Sequence, residues 1–166
     1  MNIPDASRIL LLTSLFALAP GCERLERTQQ VLPELGLRDL DGKAIATGAL
    51  RGRPWIINIW LPGCESCAHE VPGLERVREA MEPRGVGFLA LSLSSDSEGA
   101  SSAAARMGIK TRVVTASGEI MAPLNLNEAP STLFVSTEGV VVGRASGSRS
   151  QDFFGKWSLA LLQGKL

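Results

Sequence analysis

The run WIINIW, Trp55 to Trp60, is the feature that most narrows the fold. A short, nearly continuous apolar run of this kind suits a strand buried on both faces. Such a strand sits inside a sheet with a packed layer against each side, which points to an α/β arrangement. A turn and then a helix follow. From Cys67 the apolar positions Val71, Leu74 and Met81 recur at helical spacing, and Val77 fills the same stripe. Glu75, Arg76, Arg78 and Glu79 fall on the opposite face, where solvation is expected, and Pro83 and Gly85 end the helix.

The rest of the chain repeats the alternation. Val86–Leu93 reads as a second buried strand, and Ser97–Met107 as an alanine-rich helix closed by Gly108. Val113 and Val114 suggest a short extended piece. Thr132–Ser136 and Val140–Ala145 read as strands joined at Glu138-Gly139, followed by a helix over Gln151–Gln163. Upstream, Leu35–Thr47 alternates apolar and polar residues around Asp41-Gly42, a hairpin signal. This order implies one mixed sheet with helices on both faces. The 166 residues suit a single domain, and 17 basic against 17 acidic residues leave no net field to attract nucleic acid.

The first residues differ from the rest. Arg8 precedes an apolar run, Ile9–Ala19, that is too short to span a bilayer of about 30 Å and fits the core of an export signal. Cys22 follows Gly21 at the expected cleavage point. The site resembles a bacterial lipobox, with Ala19 and Pro20 departing from the usual residues. The expected layout is an export signal over 1–21, a polar tether over 22–33 beginning at a lipidated Cys22, and one domain over 34–166. An uncleaved anchor or ordinary cleavage nearby is the competing reading.

With Cys22 set aside, Cys64 and Cys67 remain as a pair three positions apart. A bridge closing so short a loop constrains the unfolded chain little, so chemistry explains the pair better than stabilisation. Between strand and helix, Cys64 falls at or just before a helix N-terminus, which favours its thiolate and makes it the expected nucleophile. Cys67, one turn on and more shielded, would resolve the mixed disulfide. A zinc site usually wants four ligands, and beyond this pair the segment offers only His69. A copper chaperone using Cys64, Cys67 and His69 is a weaker alternative. Ile57 and Leu61 stand where a peroxiredoxin-type site would need Pro and Thr, so that reading fails.

The stretch IINIWLPGCESCAHEVPGLERV resembles the thioredoxin superfamily, most closely its TlpA/ResA-like membrane-tethered thiol–disulfide oxidoreductases. Trp60, Cys64, Cys67, Glu70 and Pro72 carry the match. LRDLDGKAIATGALRGRPW looks like the family's N-terminal hairpin, and EAPSTLFVSTEGVVVGRASG like its cis-proline segment. The resemblance spans Leu35 to Leu162. It implies a thioredoxin-like fold with a central mixed sheet flanked by helices and an N-terminal β-hairpin extension. It also implies a Cys64–Cys67 disulfide, a cis bond before Pro130, and an Ala129 backbone free to pair with substrate. Trp60 is a candidate substrate contact, although packing suits it better. Glu70 matches an acidic residue implicated in proton handling; Asn58, which cannot take a proton, stands where thioredoxins carry a buried Asp. Gly63 replaces a common large aromatic and Ser66 a frequent proline, and losing that proline alters the thiol environment.

The resemblance further implies an exported, monomeric protein anchored by lipid, facing the periplasm or extracytoplasmic space. It would need no cofactor or metal. It would reduce disulfides of exported proteins, for example in cytochrome c maturation, with electrons from a membrane thiol transporter. An oxidant or isomerase of secreted proteins is the nearest alternative.

Overall fold

The computed structural model describes residues 23–166, so the expected signal over 1–21 and Cys22 lie outside the described residues. The strands are β1 (Glu26–Val31), β2 (Leu37–Arg38), β3 (Ala44–Ile45), β4 (Trp55–Trp60), β5 (Gly87–Leu93), β6 (Val113–Ala116), β7 (Ser131–Val135) and β8 (Val140–Ser146). The helices are α1 (Glu65–Met81), α2 (Ser97–Met107) and α3 (Gln151–Leu162). The strands form one mixed sheet in the order β1-β8-β7-β4-β5-β6-β2-β3. β4 runs parallel to β5 and antiparallel to β7, and β5 is parallel to β6.

β4 is buried along its whole length, as its unbroken apolar run demands. Trp55, Ile57 and Ile59 face one layer, with Leu89, Leu91, Leu133 and Val135. Ile56 faces the other, with Phe88 and Phe134. Gly87 lies beside Trp55 in register. A Cβ on Gly87 would come 2.4 Å from the indole, so only glycine lets the ring lie flat on β5.

The expectation of helices on both faces does not hold. Leu74, Val77 and Met81 of α1 and Phe153, Phe154 and Leu161 of α3 pack on the Ile56 side. Ala103 and Ala104 of α2 pack with Trp60 and Ala90, whose positions along β4 and β5 put them on the same side. The reason is topological. From β4 to β5 and from β5 to β6 the chain steps in the same direction across the sheet, and right-handed crossovers then place α1 and α2 on one face. The opposite face is closed by Leu32, Leu35, Leu50, Ile120, Leu124 and Leu126, which come from connecting segments and 3-10 turns.

Two further expectations are corrected. The polar stretch assigned to a tether contains β1, which pairs antiparallel with β8 from Glu26↔Arg144 to Val31↔Val140. Its side chains alternate between exposed and half-buried, as an edge strand allows, and buried Leu25 and Leu32 bracket it. Glu75 is not solvated: it is 7% exposed and accepts hydrogen bonds from the backbone N–H groups of Lys110 and Thr111, the Thr111 hydroxyl and Arg78. A carboxylate is tolerated there because its acceptor capacity is used by donors on two segments. Those bonds outweigh burial, which acts the other way, and hold its pKa below the ordinary value.

Candidate active site

The site lies where β4 ends. Cys64 is the N-cap of α1, with an extended backbone, and its Sγ accepts the Cys67 backbone N–H at 3.2 Å. Sulfur thus occupies the capping position, where unpaired N–H groups and the helix dipole favour a negative charge. Cys64 and Cys67 form a disulfide with their Cα atoms 5.3 Å apart. The two sulfurs differ in access. Cys64 is half-buried, whereas Cys67 is 1% exposed and packs with Trp60, Ala90, Ala103 and Ala104. A partner can therefore reach Cys64 and not Cys67. The Ser66 hydroxyl lies 3.4 Å from Cys64 Sγ, placed to donate to a thiolate there.

Trp60 is fully buried. It supports the pair from behind, and the substrate contact considered for it has no exposed surface to make it. His69 is largely exposed, with Nε2 3.9 Å from Glu65 Oε1.

The Ala129–Pro130 peptide bond is cis. The Ala129 carbonyl oxygen lies 3.9 Å from Cys64 Sγ, a contact rather than a hydrogen bond, since a disulfide sulfur carries no proton. Two bonds fix this segment: Gly147 N–H donates to the Pro130 carbonyl at 2.8 Å, and Ser131 Oγ donates to the Glu128 carbonyl at 2.7 Å.

Glu70 lies one turn beyond Cys67 on α1 and is 3% exposed. Its Oε1 accepts from Asn58 Nδ2 at 2.7 Å, and its Oε2 from the Arg149 backbone N–H at 3.0 Å. Asn58 also donates to Thr132 Oγ1 at 3.2 Å. Burial pushes the Glu70 carboxyl from an ordinary 4.5 up to about 7, with the Asn58 and Arg149 bonds pulling only partly back. The result is a buried group that can take or give a proton near neutral pH, which is the property general acid–base chemistry needs. Sequence reasoning singled out Asn58 and Glu70 separately but not their direct bond. Arg149 and Thr132 were missed: Arg149 lies 79 positions from Glu70 and acts on it chiefly through its backbone N–H, with a smaller effect of its charge, and neither residue belongs to a motif.

Among the described residues no cluster of three or more His, Cys, Asp or Glu is arranged to hold a metal, and no helix is long and apolar enough to cross a membrane.

Comparison with known proteins agrees with this geometry. Residues 26–155 match the redoxin family. The chain is 23% identical over 121 residues to the thiol-disulfide oxidoreductase ResA of Bacillus thuringiensis (strain Al Hakam), covering 72% of this chain and 70% of that one. It is also 23% identical over 120 residues to ResA of Bacillus subtilis (strain 168), with 72% and 67% covered. A putative thiol:disulfide interchange protein DsbE from Chlorobium tepidum superposes with a TM-score of 0.73 at 17% identity, covering 84% of this chain and 99% of that one. A thiol:disulfide interchange protein from Bacteroides sp. gives 0.71 at 20% identity, with 81% and 90% covered. The chain belongs to the redoxin family, as a TlpA/ResA-like thiol–disulfide oxidoreductase of the thioredoxin superfamily.

Proposed function

We propose that this protein is an exported, lipid-anchored reductant of disulfides in other exported proteins, supplied with electrons by a membrane thiol transporter. In the forward direction the Cys64 thiolate attacks one sulfur of the partner's disulfide, and the other partner sulfur leaves as a thiolate. Cys67 gives up its proton and attacks Cys64 Sγ. The second partner sulfur leaves with its electron pair, and the Cys64–Cys67 disulfide remains, so two electrons have passed to the partner. Glu70 serves as acceptor for the Cys67 proton.

The observation that carries this reading is the asymmetry of the pair. An accessible sulfur sits at a helix N-terminus, and a buried one lies a turn from a buried carboxyl that titrates near neutrality. The reductive direction is what the TlpA/ResA-like resemblance of the sequence implies, and export is supported by the apolar run Ile9–Ala19 followed by Cys22. The same sequence resemblance points to disulfides met in cytochrome c maturation as the substrate.

A measured reduction potential tests the direction. A value near the roughly −270 mV of thioredoxin supports the reductant, and one near the roughly −120 mV of DsbA replaces it with an oxidant of secreted proteins. Retention of the Cys22→Ser variant in the membrane fraction would remove the lipid anchor from the proposal.

A further inference from the structure

A groove of about 210 Å³ opens beside the reactive sulfur, lined by Gly63, Cys64, Ala68, Ala103, Arg106 and Met107, with Glu65 at its edge. Small residues create the space. Gly63 has φ +80°, and a Cβ there would meet nothing within 4 Å, so the position before Cys64 is open. Ala68 of α1 and Ala103 of α2 put only methyl groups into it, and half-buried Met107 gives a deformable apolar wall. Arg106 is exposed at the rim and makes no ion pair with any described residue, whereas Glu65 lies near His69 at 3.9 Å. The charge facing an incoming chain at the α2 end of the groove is therefore positive.

We propose that this groove is a specificity site for the partner polypeptide, receiving an apolar side chain next to the target cysteine and an acidic side chain against Arg106. The inference rests on thiol–disulfide exchange at Cys64 as described above. Its occupant is set by that chemistry: any mixed disulfide formed at Cys64 holds the partner's cysteine at the mouth of the groove, so residues flanking that cysteine must pass over or into it. The lining includes nothing from the Ala129–Pro130 segment, so the groove reads a different part of the partner from the part lying along that segment. Met107 and the alanines offer apolar contact without a polar group to satisfy, and Arg106 supplies a fixed charge for a carboxylate.

The test compares two disulfide-bridged peptides that differ only beside one cysteine, Leu-Glu in one and Gly-Lys in the other, with bis(2-hydroxyethyl) disulfide as a small substrate. The quantity read is the ratio of kcat/KM for each peptide to that for the small disulfide, using the reduced full-length protein. The Leu-Glu peptide should be preferred by roughly tenfold, the range open to one apolar side chain in a pocket. Arg106→Glu, an exposed position, should shift the charge preference toward lysine, and Ala68→Leu should lower the ratio for the Leu-Glu peptide by filling the groove. Equal ratios for the two peptides, or ratios that neither variant moves, would overturn the groove proposal while leaving exchange intact. Failure to reduce even the small disulfide would instead overturn the exchange reading.

Discussion

Replacing Glu70 with Gln separates the energetic consequence of the buried carboxyl from its chemical one. Between 4.5 and about 7 the folded chain keeps a proton on Glu70 that the unfolded chain has released, so stability falls as pH rises through that window and is level above it. At about 1.36 kcal/mol per decade, a carboxyl raised from 4.5 to about 7 removes roughly 3 kcal/mol across the window. Most of that falls between pH 5 and 8. Gln cannot titrate, so the variant should lack this slope. Whatever it loses in hydrogen bonding to Asn58 and Arg149 lowers its stability equally at both pH values. Urea unfolding of both oxidised proteins at pH 5 and pH 8 measures the difference directly, because the two proteins differ only at residue 70. The variant should gain roughly 2–3 kcal/mol on the wild type over that interval. Disulfide exchange should at the same time slow by roughly 10²-fold and lose its inflection near neutral pH, as expected when a positioned proton acceptor is removed. Parallel stability profiles would refute the claim that Glu70 is protonated in the folded state. A missing slope with unchanged exchange rates would leave the carboxyl buried but without a part in the chemistry.

The remaining predictions concern other parts of the site and its support. The Cys67→Ser variant should accumulate partners as covalent adducts on non-reducing gels and Cys64→Ser should trap few, given the burial of Cys67; the reverse order would exchange their roles. In the reduced protein the Cys64 alkylation midpoint should lie below the free-thiol value of about 8.5. In Ser66→Ala that midpoint should rise by roughly 0.5–1 pH unit, since the hydroxyl beside the sulfur is gone. Leu25→Ala should cost about 2 kcal/mol in urea unfolding, because Leu25 is 7% exposed and packed against Gly143; a loss near zero would mean that the segment before β1 is not part of the folded unit.

What the sequence revealed depended on where the signal is local. Trp55–Trp60 announces its strand because both faces of β4 are buried and every residue is constrained. Ser97–Met107 announces its helix through alanines and a closing glycine, and Gly108 indeed adopts the left-handed conformation at the C-cap. β1 is silent for the opposite reason. At the sheet edge its sequence ERTQQV buries little, and its place is fixed by backbone pairing to β8 and by the flanking leucines. Glu75 was misassigned because periodicity puts a charge on the outer stripe, whereas its acceptors are used by residues 110 and 111, more than thirty positions away. The same limit applies at the site. Cys64, Cys67 and the cis bond before Pro130 have motif signals, whereas the backbone donor of Arg149 and the groove between α1 and α2 exist only once the chain is folded.

β1 also changes what an acyl group on Cys22 would mean. The strand enters the sheet at the end where β8 reaches Ser146 and β7 begins at Ser131, next to the Ala129–Pro130 segment and the disulfide. Only four peptide steps separate Cys22 from Glu26, a reach of at most roughly 15 Å. Glu23 shortens it further, since its carboxylate accepts from the Ser150 backbone N–H at 2.7 Å. For an acylated chain, the reactive end would ride against the lipid headgroups instead of swinging on a long leash. Its search for thiols would then be two-dimensional, favouring partners that sit in or on the same leaflet over those diffusing free in the surrounding compartment.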